Sequence, residues 1–114
     1  MESDAIEAIL QRLHRHRYLD DSRFAEGMAR RALRRGHGSR RLRVDLAGKG
    51  VAKSVIDLTV ARTFADEAEL ARRALARRYT TLPSDAATRA RAARFLLQRG
   101  FPQRIVLAIL KEGC

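Results

Sequence analysis

Apolar residues recur along this chain at the spacing of a helix packed on one face. Ile6, Ile9, Leu10 and Leu13 mark a first helix, capped by Ser3, with Asp4 and Glu7 near its positive end, and closing near Arg17. With no partner ahead of it, this stripe is expected to pack on the helices after it. Tyr18-Leu19-Asp20-Asp21 reads as a junction, with Asp20 capping a second helix. That helix carries Phe24, Ala25, Met28, Ala29, Ala32 and Leu33 as one stripe and ends at Gly36-His37-Gly38. Ser39 is the expected cap of a short third helix with Leu42 and Leu46. Gly48-Lys49-Gly50 stops it, and a fourth helix holds Val55, Ile56, Val60 and Phe64.

The second half has the same grammar. Asp66-Glu67-Ala68-Glu69 reads as a capping box, with the acid at the cap and Glu three residues on. The fifth helix carries Leu70, Ala71, Ala74 and Leu75. A loop at Tyr79-Thr80-Thr81-Leu82-Pro83 leads to Ser84, the expected cap of a sixth helix with Ala86, Ala90, Ala93, Leu96 and Leu97. Gly100 ends it, Pro102 suits the first turn of a seventh, and Ile105, Val106, Ile109 and Leu110 complete the pattern.

A shift of 50 positions lays the chain on itself. Leu46 falls on Leu96, Lys49 on Arg99, Gly50 on Gly100, Val51 on Phe101, and Val55-Ile56 on Ile105-Val106. The same shift carries Ile6 onto Ile56 and Leu10 onto Val60. The expected architecture is therefore all-α, about seven helices in tandem three-helix, helix-turn-helix-like units. Residues 19–65 form one unit and 66–114 the next. Residues 1–18 supply the last helix of an incomplete earlier one. The structural turns are Gly36, Gly38, Gly50 and Gly100.

Composition sharpens this picture. Aromatics make up 5% of the chain, so its apolar 46% is mostly aliphatic, which suits helices. The formal net charge is +11, and 21 of the 24 basic residues are arginine. Such an excess points to a polyanionic partner, and the guanidinium fork suits phosphate and carboxylate. The charge is concentrated. Seven of the fourteen residues from Arg30 to Arg43 are arginine and none is acidic. Arg30, Arg34 and Arg41 lead the expected contact set, with Arg31, Arg35, Arg40 and Arg43 beside them. Arg72, Arg73, Arg77 and Arg78 form a second cluster in the next unit.

Catalytic chemistry is not expected. His14 and His16 fall on different sides of a helix and His37 sits in a turn, so no metal site is predicted. Gly36-His37-Gly38 and Gly48-Lys49-Gly50 lack the spacing of a phosphate loop. Asp20-Asp21 is better explained by helix capping than as a carboxylate pair. Cys114, the single cysteine, allows no internal disulfide and has no base in view. The acidic start and the lack of any long apolar run predict a cytoplasmic protein with no membrane span. No cofactor is expected.

Tyr18-Leu19-Asp20-Asp21-Ser22-Arg23-Phe24-Ala25, then Arg34-Arg35-Gly36-His37-Gly38-Ser39-Arg40-Arg41-Leu42 and Leu46-Ala47-Gly48-Lys49-Gly50-Val51, resemble the RecX family. Phe95-Leu96-Leu97-Gln98-Arg99-Gly100-Phe101 extends the resemblance more loosely. Members regulate the RecA recombinase. The resemblance implies tandem three-helix repeats in an elongated, curved array. It also implies binding in the groove of the RecA–DNA filament, a block on its growth, and suppression of strand exchange and ATP hydrolysis. The chain is expected to be a monomer. Contacts made by a complete earlier unit do not carry over to this chain. The competing expectation is a stand-alone DNA- or RNA-binding module that lays the helix from Ser39 to Gly48 in a groove. That helix offers Arg40, Arg41 and Arg43 but no Asn or Gln, so binding to single- or double-stranded DNA is expected to be non-specific.

Overall fold

A computed structural model describes residues 2–112, and these form six helices and no strand. They are α1 (Glu2–Arg35), α2 (Ser39–Gly48), α3 (Lys53–Thr63), α4 (Glu67–Ala76), α5 (Ala86–Gln98) and α6 (Gln103–Lys111). The expectation for Cys114 lies outside the described residues. The count is six rather than seven because the expected junction at Tyr18–Asp21 is helical throughout. Ser3 and Asp20, read as caps, lie inside α1. A cap matters only where the chain turns. Ile6, Ile9, Leu10 and Leu13 do not fold back on the later helices, but stand 50–59% exposed. The helix therefore runs on through the two acids.

α1 spans 34 residues, about 51 Å at the usual rise. Only its second half joins a core. There Ala25, Ala29 and Ala32 pack with Leu42, Leu46, Val51, Val55, Ile56, Val60 and Phe64 from α2, α3 and their turns. Alanine on the buried face lets the three helices approach closely. Phe24 and Leu33, expected in the same stripe, lie at its exposed edges.

The second core repeats the first. Ala71, Ala74 and Leu75 of α4 pack with Ala92 and Leu96 of α5, and with Phe101, Val106, Ile109 and Leu110. Leu70 touches both cores. Two small cores in a row, with the exposed first half of α1 ahead of them, make a rod. The molecule measures 71 × 21 × 21 Å with a radius of gyration of 18.9 Å. A compact chain of this length would have a radius near 13 Å.

The caps differ in detail from the sequence reading. Asp66 does cap α4, accepting from the Glu69 N–H at 3.3 Å. The return half of the box is not made. Glu69 instead faces Arg72 and Arg73. α5 is capped by Asp85 rather than Ser84, through bonds from the Thr88 N–H (3.0 Å) and hydroxyl (2.9 Å). Pro102 is the cap residue of α6, one place ahead of its first turn. Ser39 is the first helical residue of α2, and Gly38 holds the cap position without a side chain to offer.

Candidate polyanion interface at the seam between the units

The missing cap of α2 is supplied from the next unit. The Ser39 N–H donates to Glu67 Oε2 at 2.7 Å, and the Ser39 hydroxyl donates to Glu67 Oε1 at 2.9 Å. Glu67 is 7% exposed and Ser39 6%. Beside them, the Gly38 N–H donates to the Arg99 carbonyl at 2.8 Å, and the Arg40 N–H to the Gly100 carbonyl at 2.9 Å. Three successive donors at the positive end of α2 are thus matched by a carboxylate and two carbonyls. The α1–α2 turn is seated backbone to backbone on the α5–α6 turn.

This contact admits no side chain on either glycine. A Cβ on Gly38 would lie 2.5 Å from the Phe101 nitrogen, and one on Gly100 would overlap the Arg41 Cβ. Gly100 also has φ +95°, which L side chains rarely adopt. The two turns are therefore in close backbone contact at the floor of the seam, and the arginines stand around that contact.

Those arginines separate into engaged and open groups. Arg72 is fully engaged. Its Nε and Nη2 reach Glu112 at 3.0 and 2.7 Å, and its Nη1 reaches Glu69 at 3.1 Å, tying α4 to α6. Its pKa is raised by these carboxylates, Glu112 first. Arg43 pairs with Asp57 of α3 at 2.7 Å. Arg41 lies 3.6 Å from Asp45, and Arg73 lies 3.4 Å from Glu69, both in exposed pairs. Among the described residues, Arg30, Arg31, Arg34, Arg35, Arg40, Arg77 and Arg78 make no ion pair.

The open group does not gather in one place. Arg30 lines a shallow recess with Glu26, Leu58 and Arg62 between α1 and α3. Arg35, Arg77 and Arg78 meet at the seam, in a recess of about 230 Å³ floored by Gly36, Ala74 and Phe95. Arg99, absent from the sequence-based set, completes it. Its Nη1 donates to the Arg35 carbonyl at 3.0 Å. Arg78 and Arg99 lie over the Phe95 ring, 4.9 and 5.2 Å from its centroid. Stacking of this kind orients a guanidinium while leaving N–H groups at its edge. The clue to Arg99 was present in the repeat, which pairs it with Lys49 beside the shared glycine.

His37 reports the potential at this place. It is half-buried in the α1–α2 turn, and its pKa is lowered first by burial, then by Arg41, Arg99 and Arg35. Three guanidiniums from three elements thus act on one imidazole. Among the described residues no group of three or more His, Cys, Asp or Glu gathers as a metal ion requires. No helix among them is long and apolar enough to cross a membrane.

The fold and seam define an all-helical tandem-repeat protein with a positively charged joint between its units. Comparison with known proteins gives the family. Residues 20–59 match the family model described as RecX, second three-helix domain, and residues 65–110 match RecX, third three-helix domain. The chain is 42% identical over 105 residues to the regulatory protein RecX of Herbaspirillum seropedicae, covering 92% of this chain and 68% of that protein. It is 39% identical over 101 residues to that of Vibrio campbellii (88% and 65%), and 33% identical over 108 residues to that of Serratia proteamaculans (94% and 64%). The chain belongs to the RecX family, whose members are regulatory proteins and not enzymes. It spans about two-thirds of the length of these relatives.

Proposed function

We propose that this chain regulates the RecA recombinase by binding the RecA–DNA filament along its groove, slowing filament growth, strand exchange and ATP hydrolysis. Family membership supports the regulatory role. The observation that carries the binding mode is the seam recess, where Arg35 of one unit meets Arg77, Arg78 and Arg99 of the next without a carboxylate between them. A rod 71 Å long with a cationic joint suits a repeating, negatively charged groove better than a single pocket. Residues 1–18 fit the last helix of an earlier unit, 19–65 a second unit and 66–114 a third. The working place is the cytoplasm, where the filament forms.

The stand-alone DNA- or RNA-reading alternative is disfavoured. A groove-reading helix contacts bases with its N-terminal residues. In α2 the backbone donors of that end are taken up by Glu67, Arg99 and Gly100, Ser39 is buried, and Arg41 and Arg43 are already paired, which leaves Arg40 as the one unpaired arginine of the helix. Contact with bare DNA is then a backbone affair, weak and without sequence preference. Its log-affinity falls with log-salt by about 0.9 per phosphate neutralised.

The test is DNA-dependent ATP hydrolysis by RecA, titrated with the full chain. The wild-type chain inhibits it. The triple variant R35E/R77E/R78E raises the concentration needed by about tenfold or more, while melting like wild type. Inhibition unchanged by the triple variant would remove the seam from the binding surface. No inhibition by the wild-type chain would remove the whole reading.

A further inference from the structure

The two units are built alike, and one groove tells them apart. α1 lies on α4 with a shift of 46, which carries buried Ala25 and Ala29 onto buried Ala71 and Leu75. α3 lies on α6 with the shift of 50 that carries Ile56 onto Val106. Each unit has a recess of about 210 Å³ on the flank of this helix pair. In the third unit the chain dresses the recess itself. Arg72 clasps Glu112 there, at 3.0 and 2.7 Å, and the segment from Tyr79 to Leu82 forms a wall. Tyr79 also packs on the second core.

In the second unit the same positions are left open. Glu26 stands where Arg72 stands, and Arg62 where Glu112 stands, so the charges are exchanged. Neither makes an ion pair among the described residues. Leu33 takes the place of Tyr79, but α1 runs on to Arg35, so no loop forms a wall at this point. Leu33 and Leu58 are left 39 and 41% exposed. Beneath them Ala29, Val55 and Thr59 make a buried floor, where the Thr59 hydroxyl donates to the Val55 carbonyl at 2.7 Å.

We propose that this α1–α3 groove docks a short acidic segment of a partner protein, with one aliphatic side chain on the floor and carboxylates against Arg30 and Arg62. An apolar floor with a few charged groups at its edge is the layout of a pocket for a single anchoring side chain. Arg30 and Arg62 outnumber Glu26, which sets the sign of the occupant. A nucleic-acid strand fits less well, because it would lay phosphates beside Glu26 and over apolar carbon. A peptide can offer Glu26 a backbone N–H instead.

The groove lies within the second unit and apart from the seam. On α4 the seam side is Leu70, Arg73, Ala74 and Arg77, whereas the groove positions are Arg72, Leu75 and Ala76. Leu33 alone lines both the second unit's groove and the seam. A unit stacked ahead of the second, as the second is stacked on the third, would likewise leave the groove open. The docking site therefore does not depend on the RecA reading.

An NMR titration of the isotope-labelled full chain tests the proposal. The probe is the capped peptide Asp-Glu-Leu-Glu-Asp, compared with the same peptide carrying Ser in place of Leu. Both feel the chain's general positive charge, so the ratio of their affinities reports the floor alone. The leucine peptide is expected to bind about fivefold or more tighter, with shifts concentrated at Ala29, Leu58, Thr59 and Arg62. Leu58→Gln, at an exposed position, brings the ratio to about one while melting like wild type. R35E/R77E/R78E weakens both peptides together and keeps the ratio, which separates this site from the seam. Arg62→Glu weakens the leucine peptide about threefold or more beyond Arg94→Glu, the same change of charge on exposed α5. A wild-type ratio near one overturns the proposal, as does a ratio that survives Leu58→Gln. Equal effects of the two arginine variants overturn the placement of the carboxylates. Groove shifts that grow with chain concentration in the absence of peptide would give the groove to a second copy, and overturn it too.

Discussion

The turns at Gly50 and Gly100 have the same local structure and different surroundings. In each, the glycine N–H bonds the carbonyl three residues back, at 3.0 Å in both. The next residue bonds the carbonyl five back, Val51 to Leu46 and Phe101 to Leu96, at 3.1 Å in both. Both glycines have positive φ, +78° and +95°, as this helix ending requires. Around Gly50 there is open space, with no heavy atom within 4 Å of a would-be Cβ. Around Gly100 the preceding unit is seated, with Arg41 against the same position. One motif thus serves twice, once as a helix stop and once as a helix stop and a socket.

That difference gives the largest expected effect. Gly50→Ala costs about 1 kcal/mol, the penalty of the left-handed conformation alone. Gly100→Ala adds a clash with the Arg41 backbone and Cβ, and costs about 3 kcal/mol or more. Gly38→Ala isolates the clash. Gly38 has φ −93°, so alanine there carries no backbone strain, yet its Cβ would strike the Phe101 nitrogen at 2.5 Å. Urea unfolding of the three variants should rank Gly100→Ala as most damaging, Gly38→Ala next and Gly50→Ala last. Equal losses at Gly50 and Gly100 would mean that the socket contributes nothing.

The comparison extends to how α2 and α5 begin. α5 is capped from within, by Asp85 on Thr88. α2 is capped from outside its own unit, by Glu67. Removing a buried acceptor strands the donors it served, here the Ser39 N–H and hydroxyl. Glu67→Ala is expected to cost about 2–3 kcal/mol, and Asp85→Ala, at an exposed cap, about 1 kcal/mol. Pairing Glu67→Ala with Ser39→Ala should recover part of the loss, because one of the stranded groups is then gone. Additive losses from the two would show that the hydroxyl bond adds nothing to the seam.

The helices and the repeat were legible in the sequence because both are written in local periodicity. The shift that lays Leu46 on Leu96 and Gly50 on Gly100 marked equivalent turns correctly. It could not show that one of them holds a neighbour. The seam residues each have a sufficient local explanation: glycine for a turn, serine for a cap, an acid in the first turn of a helix. Glu67 was read inside a capping box, and its bond to Ser39, 28 residues away, leaves no periodic trace. The junction at Asp20-Asp21 failed for a related reason. Asp66-Glu67 has the same local form and does begin a helix, because Phe64 before it is packed in the first core and the chain must turn. Before Asp20 nothing is packed, so the helix continues. Of the arginines, sequence alone could find the excess but not which ones the chain's own acids hold, as with Arg72.

The smallest expected effect concerns pH and tests the electrostatics of the occupied turn alone. His37 has its pKa lowered below 6.5 by burial and then by Arg41, Arg99 and Arg35. Well above pH 6.5 the imidazole is neutral folded or unfolded, and pH has no hold on stability through this group. As pH falls below that value the unfolded chain takes up the proton and the folded chain resists it. Stability is then lost progressively until the lowered pKa is passed. The melting temperature should therefore fall between pH 7.5 and 5.5, and His37→Gln should flatten that fall. Arg99→Gln should flatten it only in part, because burial is the larger cause. An anion seated among these arginines would work the other way, raising the His37 pKa toward its ordinary value. Following the His37 ring protons by NMR during a phosphate or DNA titration would show it. A His37 that titrates unchanged while the chain binds would place the bound anion away from the seam.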